Sequence, residues 1–221
     1  MFYYNQLCND IEINLMLDNL NNLLNMYYDN SFVACHGRYH AMFTVDMVEH
    51  ILKSLSFDER TIEIGKIAAL LHDIGNVAGR KRHDKKSAAL ASVIFEGSDY
   101  LTSDEKQLIY HAIADHSAGR NIESAVGAAL VIADKVDFAM KRAVDYHTKS
   151  ESEKDDESIK HVELIVTETD IVIYAETGNK FDKELFDNGF NKRYGVIKRA
   201  AAFLGCSCAF QFSALNEKFA L

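Results

Sequence analysis

The fold of this chain is decided by the stretch IGKIAALLHDIGN, residues 64–76. Apolar residues recur there at helical spacing, so residues 58–74 are predicted to form a helix that Gly75 stops. His72 and Asp73 follow the apolar run IAALL, which places both on the last turn of a buried helix. An ionisable group is costly to bury without a partner. The sequence therefore predicts that other polar side chains come to meet this pair.

Helical spacing of apolar residues extends to both sides of this stretch. It predicts helices at residues 10–28, 38–55, from about 84 to before 97, 103–117 and 122–147. A charged run without periodicity follows, KSESEKDDESI, and predicts a solvated loop over residues 149–160.

The spacing of apolar residues along the sequence changes after the loop. Residues 162–175 are rich in β-branched side chains and are interrupted by polar residues, which predicts two strands in a hairpin. A short helix at 183–186, a longer one at 191–204 and a third strand at 207–212 are predicted to follow. We therefore expect a mainly α protein, with a helical domain at 1–148 and a small C-terminal α/β appendage at 161–221.

Composition and charge narrow the function classes. The chain of 221 residues has 33 acidic and 24 basic residues, a net charge of −9, which argues against general nucleic-acid binding. No apolar run approaches the roughly 18 residues of a membrane span, so we expect no membrane partner. No signal-like segment opens the sequence, so the four cysteines are expected to be reduced thiols in a cytoplasmic protein.

Further histidines and aspartates on apolar helix faces are candidate partners for the His72–Asp73 pair. Asp134 ends the apolar run AVGAALVIA, and His40 lies one position off the core stripe of its helix. Imidazole nitrogens and carboxylate oxygens without a thiolate suit an octahedral Mn, Fe, Ni, Co or Mg site better than a closed structural zinc site.

These residues resemble a known signature. His40, the pair His72–Asp73 in ALLHDIG and Asp134 in VIADKVD are similar to the His…His-Asp…Asp pattern of the HD-domain superfamily of metal-dependent phosphohydrolases. The resemblance covers about residues 30–145. It implies an all-α core of five or more helices, in which the four side chains hold one divalent ion.

The resemblance also suggests a second ion. His83 and His116 are similar in position to two histidines that dinuclear members add, and Asp73 would then bridge both ions, with a bridging hydroxide as the nucleophile. The alternative is one ion, with both imidazoles binding phosphate. His111 lies on a more polar helix face and ranks third for either role.

The loop GRKRHDKK, residues 79–86, concentrates basic residues next to the predicted site. We expect Arg80 or Arg82 to bind a substrate phosphate, because guanidinium makes bidentate phosphate contacts; the alternative is a solvated loop. Lys135 is a weaker phosphate candidate. The general acid is left open among His116, His111 and Lys135.

The remaining histidines receive no role at the site. His36 is interpreted as a loop residue, although a contact with a metal ligand is also considered. His50, His147 and His161 are expected at the surface or in packing.

The expected function is hydrolysis of a phosphoester or phosphoanhydride of a small phosphorylated metabolite, a nucleotide first of all, by metal-activated water. The expected catalytic residues are His72, Asp73, Asp134 and His116. The alternative is a non-hydrolytic HD-type sensor that binds a nucleotide and signals through its appendage. The substrate, the metal, the number of ions and the oligomeric state, a homodimer included, are left open.

Overall fold

The computed structural model describes residues 3–27, 36–137, 159–178 and 183–214. The helices of this part are α1 (Tyr3–Asn9), α2 (Ile11–Tyr27), α3 (Arg38–Ser54), α4 (Glu59–Leu71), a 3-10 turn (Ile74–Ala78), α5 (His83–Ile94), α6 (Ser103–Asp115), α7 (Ala125–Val136) and α8 (Lys183–Phe203). The strands are β1 (Ile159–Val166), β2 (Asp170–Thr177) and β3 (Ser207–Ala214). The predicted class, mainly α with a small C-terminal α/β part, is confirmed. None of the described helices is both long and apolar enough to cross a bilayer.

Helix α4 is the centre of the helical bundle. Nearly all of its residues from 62 to 71 are buried, because α3, α6 and α7 pack around it. Gly65 allows α3 to come close, since a Cβ at this position would lie 2.7 Å from Leu52 Cδ1 and 2.8 Å from Val48 Cγ1. The Asp58 carboxylate caps the helix by accepting two backbone N–H bonds. The result is a buried central helix that ends at Leu71, directly before His72.

The sheet has the order β1-β2-β3. Strands β1 and β2 form the predicted antiparallel hairpin, with Leu164 opposite Ile173. Strand β3 runs parallel to β2 after the α8 crossover, with Phe210 opposite Ile173. Helix α8 packs against α7, and His50 Nε2 of α3 donates a hydrogen bond of 2.8 Å to the Leu164 carbonyl. The appendage therefore rests on the two helices that carry His40 and Asp134.

Several boundaries differ from the predictions. Helix α4 ends at Leu71 rather than at residue 74, and the 3-10 turn follows it. The helices predicted at 183–186 and 191–204 are one continuous helix, because an internal Gly189 costs only about 1 kcal/mol and does not break it. Helix α1 was not predicted. It is short, and it is held by the burial of Tyr3, Tyr4 and Leu7.

The region between the bundle and the sheet is described only in part. Strand β1 already begins at Ile159, within the predicted loop. The rest of that loop, and the predicted continuation of α7 to residue 147, lie outside the described residues.

Candidate metal centre

The pair His72–Asp73 is placed by the end of α4 and by a close approach of α5. Gly75 makes this approach necessary, because a Cβ there would lie 2.3 Å from the Ser87 backbone nitrogen and 2.6 Å from the His83 carbonyl oxygen. The Gly75 N–H also donates a 2.9 Å hydrogen bond to Ser87 Oγ. Gly75 thus does more than end a helix: it brings His83, the first residue of α5, up to Asp73.

The Asp73 carboxylate is the centre of the site. Its Oδ2 lies 3.5 Å from His72 Nε2 and 3.7 Å from His40 Nε2. Its Oδ1 lies 3.3 Å from His83 Nε2 and 3.6 Å from His116 Nε2. The two oxygens of one carboxylate therefore face two different pairs of imidazoles.

Asp134 joins the first of these pairs. Its Oδ1 lies 3.3 Å from His40 Nε2 and 3.8 Å from His72 Nε2. Its Oδ2 accepts a 2.9 Å hydrogen bond from Lys135 Nζ, which also donates to the His116 carbonyl at 3.1 Å. The Lys135 ammonium therefore links the loop after α6 to the end of α7.

The hydrogen bonds fix the imidazole tautomers. Each ring places its Nδ1 against a protein oxygen: His40 on Asp137 Oδ2 at 2.6 Å, His72 on the Ala69 carbonyl at 2.7 Å, His83 on the Arg80 carbonyl at 3.1 Å and His116 on the Ile113 carbonyl at 2.6 Å. A neutral imidazole has one N–H group. Because Nδ1 donates it to the oxygen in each of these hydrogen bonds, the lone pair is on Nε2. All four lone pairs are thus turned towards the centre of the cluster.

Two features of this centre favour the binding of a cation. His40 Nε2 and His72 Nε2 are only 3.1 Å apart, so that two lone pairs face each other. Asp73 Oδ1 is buried and accepts no hydrogen bond within the described part of the chain. Buried polar atoms nearly always have a partner, and a divalent ion would serve all of these donors at once.

The protonation states agree with this arrangement. Burial lowers the pKa of His72 to about 3, which keeps the ring neutral. Burial by itself raises the pKa of Asp73, but the imidazole of His36 beside it holds the pKa well below its usual range. For Asp134, too, burial raises the pKa and the Lys135 ammonium outweighs it. The site thus combines anionic carboxylates with the neutral ring of His72, a combination that attracts cations.

Among the residues that the structure describes, three overlapping groups could hold a metal ion. In each group the ligand atoms lie within 4.8 Å of one another. The groups are His36, His40 and Asp73; His40, His72 and Asp134; and His72, Asp73 and His116. The structure thus brings all six predicted ligands together, His83 included by its 3.3 Å approach to Asp73.

One residue of the site, Asp137, was not recognised in the sequence, and a second, His36, was given a contact with the site only as the alternative. Asp137 is buried and orients His40 through the hydrogen bond to Nδ1. The sequence pattern that could have revealed Asp137 is its spacing of three from Asp134 at the end of an apolar helix. His36 does precede α3 in a loop, but its ring is buried and its Nδ1 lies 2.5 Å from Asp73 Oδ2. The loop position of His36 agrees with its interpretation from the sequence, and the structure favours the alternative considered there, a contact with a candidate metal ligand. The sequence pattern that points to this contact is the spacing of four between His36 and His40.

No family model and no curated protein matches this chain. Among solved structures it is similar to a predicted HD superfamily hydrolase from an uncultured Thermotogales bacterium, at 23% identity and a TM-score of 0.42, over 57% of this chain and 67% of the other. Six side chains make up the centre described above, and we call them the HD cluster after the one-letter codes of histidine and aspartate. They are His40, His72, Asp73, His83, His116 and Asp134.

Two side chains of the HD cluster keep some contact with solvent. The side chains of Asp134 and His83 are 14% and 11% exposed, whereas that of Asp73 is 3% exposed. Burial is the main cause that lowers the pKa of His83, and the charge of Arg80 adds to it. A cation therefore lies close to each of these two side chains, Lys135 to Asp134 and Arg80 to His83.

The other basic and histidine candidates differ in their positions. Arg80 is half-buried, and its Nη1 lies 3.5 Å from Asn76 Oδ1, while the same Asn76 side chain donates to the Asp73 carbonyl. Arg82 is exposed, with a left-handed φ of 57° at the start of α5. His111 is exposed on α6 with its ring against Tyr110, so the structure does not bring it into the cluster.

Proposed function

We propose that this chain is a metal-dependent phosphohydrolase of the HD superfamily. Its substrate is a phosphoester or phosphoanhydride of a small phosphorylated metabolite, with nucleotides as the first class to test. One observation carries the proposal. The facing Nε2 atoms of His40 and His72 lie beside Asp73 Oδ1, which has no hydrogen-bond partner among the described residues, and together they form a buried donor set suited to divalent cations.

The donor set divides into two subsites that share Asp73. His40, His72 and Asp134 would hold one ion with Asp73 Oδ2, and His83 and His116 would hold another with Oδ1. Bound divalent ions supply Lewis acidity and lower the pKa of a water ligand. The alternative is a single ion, with His83 and His116 contacting the phosphate.

In this proposal the cations beside the HD cluster orient the substrate. Arg80 lies in the loop before His83, and its guanidinium suits bidentate contact with phosphate oxygens. Asp134 and His83 keep the most exposure among the six side chains of the cluster, so a phosphoryl group would approach the bound ions from their side.

The proton for the leaving oxygen comes from Lys135 in this proposal. His116 Nε2 carries a lone pair directed at Asp73, and His111 lies outside the cluster. The Lys135 ammonium lies beside Asp134 and carries protons that it can donate.

The experiment is metal analysis of the purified chain, followed by a phosphoester screen with and without added Mn²⁺, Co²⁺, Ni²⁺ or Mg²⁺. The proposal expects metal-dependent release of phosphate or of a nucleoside phosphate from at least one nucleotide. If the chain binds metal and binds a nucleotide tightly but releases no product from any substrate of the panel, the hydrolase is rejected in favour of the non-hydrolytic sensor. A chain that binds none of these ions contradicts both.

A further inference from the structure

His36 contacts the one side chain that both metal subsites share. Its Nδ1 lies 2.5 Å from Asp73 Oδ2, and both residues are almost completely buried, at 3% and 2% exposure. This contact joins residues that are 37 positions apart in the sequence. It is therefore made by the fold and not by local chain geometry.

The direction of this hydrogen bond follows from the chemistry of the acceptor. An ionised carboxylate has only acceptor atoms, so the proton in the contact belongs to His36 Nδ1. Donation to a charged acceptor gives a strong, short hydrogen bond with restricted geometry. Because it engages Oδ2 alone, it restrains rotation of the carboxylate about its Cβ–Cγ bond.

That restraint decides which imidazoles each oxygen faces. With Oδ2 held by His36, Oδ1 is turned towards His83 and His116. The His36 ring is itself positioned by its edge contact with the ring of His40, at 5.5 Å between centroids and 88° between planes. We infer that His36 is a positioning residue, which holds Asp73 as the shared ligand of two metal subsites.

This inference rests on the proposed metal site, but it can be tested without any substrate. The probe is Co²⁺, titrated calorimetrically and by visible absorption into the full-length apo chain. The variants are His36→Ala, His36→Asn and His36→Gln, with the exposed His161→Ala as control. An asparagine amide places its N–H near the position of imidazole Nδ1, whereas a glutamine amide places it near Nε2.

We expect His36→Ala and His36→Gln to lower Co²⁺ affinity by about 10- to 100-fold and to change the absorption band, as the loss of a hydrogen bond to a metal ligand does. His36→Asn should stay within about threefold of the wild type, and His161→Ala should match it. If His36→Ala does not fold, the contrast between the asparagine and glutamine variants still decides.

Wild-type affinity in both the alanine and glutamine variants overturns the role of His36 alone. Equal losses in all three variants also overturn it, because they would show that the ring itself is needed, as a ligand or in packing. A wild-type chain that binds no Co²⁺ overturns the proposed function together with this inference.

Discussion

Two clusters of charged side chains lie in the helical bundle, and they are built in opposite ways. In the first, which we call the Arg60 cluster, the guanidinium of Arg60 holds Glu63 and Glu105. It donates to Glu105 at 2.6 and 2.8 Å and to Glu63 at 2.8 Å. The other Glu63 oxygen accepts from the Tyr4 N–H, and Glu105 also accepts from the Thr102 N–H. Every carboxylate oxygen of this cluster has a donor.

In the HD cluster the hydrogen bonding of the polar atoms is less complete. Asp73 Oδ1 accepts no hydrogen bond in the described residues, and His40 and His72 turn lone pairs towards each other. A satisfied network stabilises a fold, whereas a half-satisfied one destabilises it unless a ligand completes it. The Arg60 cluster therefore serves the structure, whereas the HD cluster could hold a cation that would complete it.

The largest expected effect is that of Asp73→Asn, which removes the charge shared by both subsites. Divalent-ion affinity should fall by at least about 100-fold and hydrolysis should be lost with it, since changes next to a ligand alone cost roughly 10- to 100-fold. The apo chain should keep its Tm within a few degrees, because a buried charge is removed. Elemental analysis and calorimetry check both points; full metal occupancy would reject the site.

The number of ions is tested by the double change His83→Ala with His116→Ala. If Asp73 bridges two ions, metal content should fall from two per chain to one, because only the pair that faces Oδ1 is lost. Anomalous scattering from crystals locates the ions. A single peak in the wild type, away from both imidazoles, would establish the one-ion alternative.

Arg80 and Arg82 form a matched pair, since only Arg80 lies next to the HD cluster. Arg80→Ala should lower kcat/KM by roughly 10- to 150-fold, or about 1.5 to 3 kcal/mol, and flatten its salt dependence, with metal content unchanged. Arg82→Ala should stay within about twofold. Equal and small effects in both variants would mean that the basic loop is only a solvated surface.

The Arg60 cluster should respond in stability and not in metal binding. Arg60→Met leaves the buried Glu63 without its cation, so the free energy of unfolding should fall by about 2 kcal/mol. The exposed ion pair of Lys53 with Glu49 gives the control, and Lys53→Met should change stability by less than about 0.5 kcal/mol. Loss of Co²⁺ binding in Arg60→Met would contradict the separation of the two clusters.

The smallest expected effect is a pH dependence of stability. Hydrogen bonds from Arg60 lower the pKa of Glu105 from 4.5 to about 2. A carboxylate with a lowered pKa in the folded state stabilises it fully above its unfolded pKa and loses this contribution as pH falls towards the folded value. The Tm difference between the wild type and Glu105→Gln should therefore shrink from pH 5 to pH 2. A difference that stays constant over this range would refute the assignment.

The amino-acid sequence by itself determined the helices of the bundle and the main candidates of the site. The run IAALLHD and the apolar helix before Asp134 predict buried ionisable groups, because a period of 3.6 and a local helix end are properties of neighbouring residues. The hairpin was predicted for the same reason, since β-branched runs and a polar turn are local signals.

Only the tertiary structure decided which of these groups meet. The contact of His36 with Asp73 spans 37 residues and that of His40 with Asp137 spans 97. Gly75 appeared in the sequence as a helix stop, yet its lack of a Cβ is what lets α5 bring His83 to Asp73. Such contacts depend on how whole helices pack, and a hydrogen bond is lost over a displacement of less than 1 Å, which no local pattern can encode.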